Sequence, residues 1–110
     1  MADMTLEQFR DHLATQLGVK GRGQTLSSDD ANYLETIVTN CHDELSEMEV
    51  AVWDENSIPP FAVESLVLYC RGSVSRFGLD PDPAVKFAGL RGLRYVTADT
   101  RNAIGKADYF

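Results

Sequence analysis

Pro59-Pro60 opens the most restrictive stretch of this chain. Proline has a fixed φ and no N–H, so it suits the first turn of a helix and breaks its interior. After it come Phe61, Ala62, Val63, Leu66, Val67, Leu68, Tyr69, Cys70, Val74 and Phe77, and then Gly78. The spacing predicts a helix that begins at the prolines, runs to about Phe77 and ends at Gly78. Its apolar surface is far wider than one stripe. Such a helix belongs at the centre of its domain or against a partner chain, because water on any side would meet hydrocarbon. The rest of the chain therefore has to wrap around it.

The flanking segments supply helices that can do so. Thr5 with Gln8 forms a capping box, and Leu6, Phe9, Leu13 and Leu17 follow at helical spacing, which predicts a helix over 6–17 with Gly18 as its stop. Residues 18–27, GVKGRGQTLS, read as a mobile glycine-rich loop. No strand precedes it, so a phosphate cradle is not implied. Ser27 or Ser28 caps a second helix, with Asp29 and Asp30 in the first turn where the dipole favours them. Tyr33, Leu34, Ile37, Val38, Cys41, Leu45, Met48 and Val52 extend its stripe, predicting a helix from 29 to about 50. Residues 53–58 break that pattern.

Asp82 and Pro83 look like the cap and first residue of a fourth helix, over about 84–97, carrying Val85, Phe87, Ala88, Leu90, Leu93 and Val96. Gly89 and Gly92 each weaken it by about 1 kcal/mol relative to Ala. The segment from Asp99 to Phe110 has little pattern and ends in two aromatic residues. The expected architecture is all-α: a bundle of about four helices over 1–98, and an extended docking tail over 99–110.

A formal net charge of -7 argues against a simple nucleic-acid coat, which draws on phosphate neutralisation. The charge is divided. Residues 1–64 hold thirteen acids and three bases, whereas residues 65–110 hold four acids and seven bases. Two surfaces with different partners are expected from such asymmetry. Cys41 and Cys70 each sit in an apolar stripe and read as small buried hydrophobes; whether they pair is open. There is no signal-peptide pattern and no apolar run near the roughly 18 residues a membrane span requires, so the expected site of synthesis and folding is the cytoplasm.

Chemistry is hard to find. His12 has only Asp11 close in sequence, which points elsewhere on a helix. His42 stands between Cys41 and Asp43, but adjacent helical residues diverge by about 100° and do not converge on a metal. No catalytic residues, metal site or cofactor are expected. Asp43, Glu44, Glu47 and Glu49 mark the outer side of the second helix, a solvated face that could also line a passage from which nucleic acid is repelled. Near the C-terminus, Arg91, Arg94, Tyr95, Arg101, Lys106, Tyr109 and Phe110 mix arginine with aromatic residues, the commonest energetic anchors of protein interfaces.

Taken together, the opening MTLEQFRDHLATQLGV, the helix start SSDDANYLETIVTNCHDEL, the proline-led IPPFAVESLVLYCRGSVSRFG and the close GKADYF make the chain resemble the small head–tail connector (head-completion, or adaptor) proteins of tailed bacteriophages. The resemblance spans nearly the whole chain and rests on helix boundaries. The glycine-rich loop and the Arg76-Phe77-Gly78 stretch depart from it. It implies a helical protomer that forms a ring, commonly of about twelve copies. Such a ring docks under the portal protein, meets a tail or nozzle protein below, and lets genomic DNA through its lumen without reading sequence. Under this resemblance the seven C-terminal residues are candidates for the portal or partner interface, and the location is the virion, at the capsid–tail junction. The competing reading is a small acidic helical module that regulates one basic partner by salt-sensitive binding; an enzyme is the third and would need His42 for activity.

Overall fold

The computed structural model describes residues 2–20 and 24–108, with side chains described as far as Thr97. Among the described residues four helices make up the fold: α1 (Leu6–Gln16), α2 (Ser28–Glu47), α3 (Val63–Arg71) and α4 (Pro83–Asp108). A 3-10 turn, Pro60–Ala62, leads into α3. Among the described residues there is no strand, only an isolated antiparallel bridge in which Met4 and Ile58 exchange two 2.8 Å backbone hydrogen bonds.

Local chemistry sets the helix starts. The Thr5 hydroxyl accepts from the Gln8 amide at 3.1 Å while the Gln8 side chain accepts from the Thr5 amide at 3.0 Å, closing the expected capping box. The Ser27 hydroxyl accepts from the Asp30 amide at 3.2 Å. The Asp82 carboxylate accepts from the Ala84 amide at 3.1 Å, with Pro83 in the first turn, where its missing N–H leaves nothing unpaired.

Two helix ends share one device. At the end of α1, Gly18 takes φ 75 while Val19 N donates to Ala14 O and Gly18 N donates to Thr15 O. At the end of α2, Glu49 takes φ 60 while Val50 N donates to Leu45 O and Glu49 N donates to Ser46 O. Both are left-handed caps that satisfy otherwise orphaned carbonyls. The second uses a residue with a Cβ, which the sequence pattern gave no reason to expect. It ends α2 at Glu47 rather than near residue 50, and it leaves Met48 and Val52 exposed rather than continuing the stripe.

α3 lies at the centre, touching α1, α2 and α4. It buries Val63, Leu66, Val67, Tyr69 and Cys70 against Phe9, Leu13, Leu34, Val38, Cys41, Leu45 and Leu93. It is shorter than expected, ending at Arg71 instead of Phe77. The backbone of Lys86 presses on Gly72, and the following turn is claimed by α2. There the Tyr33 hydroxyl accepts from Ser75 N at 2.9 Å, Arg76 pairs with Asp30 at 3.1 Å, and the Arg76 guanidinium lies 5.2 Å from the Tyr33 ring centroid. Val74 is buried from this turn rather than from a helix.

α4 is longer than the helix expected over about 84–97 and continues to Asp108. The glycines counted as weaknesses are the surface on which α3 and α4 cross. A Cβ on Gly89 would lie 2.4 Å from Tyr69 N and 2.7 Å from Ser65 O, and one on Gly92 would lie 2.4 Å from Ser65 Oγ. Only residues without a side chain permit backbones this close. Of the expected mobile loop, Gly18, Val19, Lys20 and the residues from Gln24 are described, with Lys20 Nζ donating to Gln24 O at 2.9 Å; residues 21–23 lie outside the described residues.

Candidate functional site: the outer face of α4

α4 carries two faces. Gly89, Leu93 and Thr97 are buried, and Leu90 is half-buried beside them. The Thr97 hydroxyl donates to Val50 O at 3.4 Å. On the opposite side of the helix, at spacings of three and four, lie Ala84, Phe87, Ala88, Arg91 and Tyr95, with Arg94 at the flank, all exposed. Tyr95 is 75% and Phe87 57% accessible, high values for aromatic residues. Ala88, Arg91, Gly92, Arg94 and Tyr95 line a shallow depression of about 640 Å³. Among the described residues no carboxylate is paired with Arg91 or Arg94.

Three of the seven expected interface residues, Arg91, Arg94 and Tyr95, thus share one exposed surface. Arg101 and Lys106 fall on the continuation of α4, with side chains beyond those described, and Tyr109 and Phe110 lie outside the described residues. Phe87 and Ala88, which read with the apolar residues of this segment, are exposed instead. The signal that separates them was present: 84, 88, 91 and 95 form a second series at helical spacing, out of phase with 89, 93 and 97.

The four acids lie at or just past the second half of α2. Asp43 and Glu47 are exposed at one-turn spacing on α2. Glu44, exposed as well, reaches across to two neighbours: its carboxylate receives Lys86 Nζ at 3.4 Å and the Tyr69 hydroxyl at 3.4 Å, while Lys86 Nζ stands 4.9 Å from the Tyr69 ring centroid. Glu44 therefore joins α2 to α3 and α4. Burial of the ring and the nearby Glu44 charge hold the Tyr69 phenol protonated well above its ordinary range. Glu49 is off the helix, in the left-handed cap. All four acids are thus exposed: Asp43, Glu44 and Glu47 on α2, and Glu49 just beyond its end.

The histidines serve separate contacts. His42 Nε2 donates to Trp53 O at 2.8 Å, which anchors the segment after α2. His12 Nε2 lies 3.4 Å from a Glu64 carboxylate oxygen, at the edge of a depression of about 520 Å³ formed with Ala2, Met4, Pro60 and Val63. Among the described residues no group of three or more His, Cys, Asp and Glu side chains could hold a metal ion, and no helix is long and apolar enough to cross a membrane. Compared with known proteins, the chain matches no family model, no curated protein and no solved structure.

Proposed function

We propose that the protein is a structural virion component, a head–tail connector whose copies form a ring beneath the portal of a tailed bacteriophage, extend the DNA channel and join capsid to tail. The observation that carries this reading is the outer face of α4. An exposed Tyr95 and Phe87, flanked by Arg91 and Arg94 around an open depression, have the composition of an interface core rather than of a solvated helix. The all-α bundle agrees with the resemblance in helix order, and α4 continues to Asp108. In this reading α4 docks on the portal or on a neighbouring copy. Asp43 and Glu47 rim the lumen, where carboxylates repel passing DNA and keep it from adhering. No catalysis or cofactor is assigned.

The test is binding of the purified chain to its cognate portal protein, compared with a variant carrying Arg91→Glu, Arg94→Glu and Tyr95→Ala. These side chains are exposed, so the variant should fold normally and lose binding by at least about 100-fold, as expected for hot-spot removal. Equal binding by the variant would remove α4 from the interface. A stable monomer that ignores the portal but binds one basic protein through Asp43 and Glu47 would favour the acidic regulatory module.

A further inference from the structure

The core holds a pair of thiols on facing helices. Cys41 lies in the second half of α2 and Cys70 is the penultimate residue of α3, and both are within 1% of full burial. Two observations bring them together. Cys41 Sγ donates to Ser73 Oγ at 3.7 Å, and Ser73 N donates to Cys70 O at 3.0 Å, so the Cys41 sulfur sits against the turn that carries Cys70. Both side chains belong to the same buried core cluster. Disulfide bridges need sulfur atoms at about 2.05 Å and Cα atoms within about 7 Å, and a Cys41 sulfur seated against the turn that follows Cys70 can approach that arrangement by small shifts of packed helices.

We propose that Cys41 and Cys70 are an oxidisable pair, converted by a small peroxide into a disulfide that clips α2 to α3. Burial restricts the oxidant to a small neutral molecule that enters during local opening. The two thiols differ in the direction such chemistry requires. The neighbouring Cys70, with help from Ser73 and Lys86, pushes the Cys41 thiol down, whereas the neighbouring Cys41 and burial push Cys70 up. Tyr69, Glu44 and Lys86 are the ionisable neighbours; Glu44 opposes the Cys41 thiolate and Lys86 favours it.

In the first step the Cys41 thiolate attacks one peroxide oxygen. The S–O bond forms, the O–O bond breaks, hydroxide leaves and takes a proton from solvent, and Cys41 becomes a sulfenic acid. In the second, the Cys70 sulfur attacks the Cys41 sulfur. The S–S bond forms, the S–O bond breaks, and the departing hydroxyl takes the Cys70 proton to leave as water. Two thiols lose two electrons and one hydrogen peroxide is reduced to two waters.

The experiment treats the full chain at neutral pH with hydrogen peroxide, quenches it, and maps peptides by mass spectrometry without reductant. The expected result is a Cys41–Cys70 linked peptide, with both thiols disappearing together and returning together on reduction. A Cys70→Ser variant should stop at a Cys41 sulfenic acid that a cyclic diketone such as dimedone traps. Should the serine variant fail to fold, the unmodified chain still decides the matter. Persistence of both thiols, separate over-oxidation of each, or disulfides only between different chains would overturn the proposal. None of these outcomes depends on portal binding.

Discussion

Gly89→Ala is the substitution whose sign separates local from tertiary reasoning. Helix propensity alone favours alanine by about 1 kcal/mol at a mid-helix glycine. The crossing of α3 and α4 reverses that. The added Cβ would meet Tyr69 N at 2.4 Å, Ser65 O at 2.7 Å and Tyr69 Cα at 2.9 Å, all backbone atoms. Ordinary carbon contacts lie at about 3.5–4.0 Å, so the helices must part by about 1 Å. Overpacking costs about 1–3 kcal/mol, and a rigid backbone neighbour places this case at the upper end. The net expectation is destabilisation of about 2 kcal/mol, a Tm lower by about 8 °C for a chain of this size. Thermal and urea unfolding followed by circular dichroism provide the assay. Gly92→Ala supplies an internal comparison, since its added Cβ meets the Ser65 hydroxyl at 2.4 Å and the Ser65 Cβ at 3.2 Å. Its cost should largely disappear in a Ser65→Ala background, whereas that of Gly89→Ala should not. A Gly89→Ala protein as stable as the parent, or more stable, would refute the glycine-mediated crossing.

Glu49→Gly should stabilise the chain by about 1 kcal/mol, because φ 60 strains a residue with a Cβ and suits glycine; equilibrium urea unfolding would show a higher midpoint at unchanged slope. The Tyr69 phenol is held protonated in the fold, so its contribution is complete below the ordinary tyrosine value of 10.0 and is lost as pH rises above it, where the unfolded chain ionises first. Stability measured from pH 8 to about 11 should therefore fall, and Tyr69→Phe should flatten the part of that decline beyond the ordinary tyrosine range. Arg91→Glu combined with Arg94→Glu should leave Tm within about 2 °C of the parent, since neither side chain is buried or paired among the described residues.

What the sequence made legible was local. Thr5 with Gln8, Ser27, and Asp82 with Pro83 sit where backbone donors need them, and each cap formed at its expected place. The central position of α3 was legible too, because an all-round apolar helix has few other places to go. What escaped was set by distant residues. Val74 and Phe77 keep helical spacing with α3, yet Tyr33 and Asp30 on α2 hold that turn in another shape. Residues 99–108 lack an apolar stripe, and periodicity reports burial rather than helicity, so the length of α4 could not be read. The candidate site was half visible. Arg91, Arg94 and Tyr95 were singled out by residue type, but Phe87 and Ala88 resemble core residues until a second helical phase is traced through them. The contacts of Glu44 depend on Lys86 and Tyr69, neither of which is close to it in sequence.

Electron microscopy of the protein alone and mixed with its portal protein tests the central claim most directly. The account predicts rings of defined rotational symmetry, free or seated on the portal, with α4 at the contact. Only monomers in both samples, at concentrations where the portal itself is a well-formed ring, would contradict it.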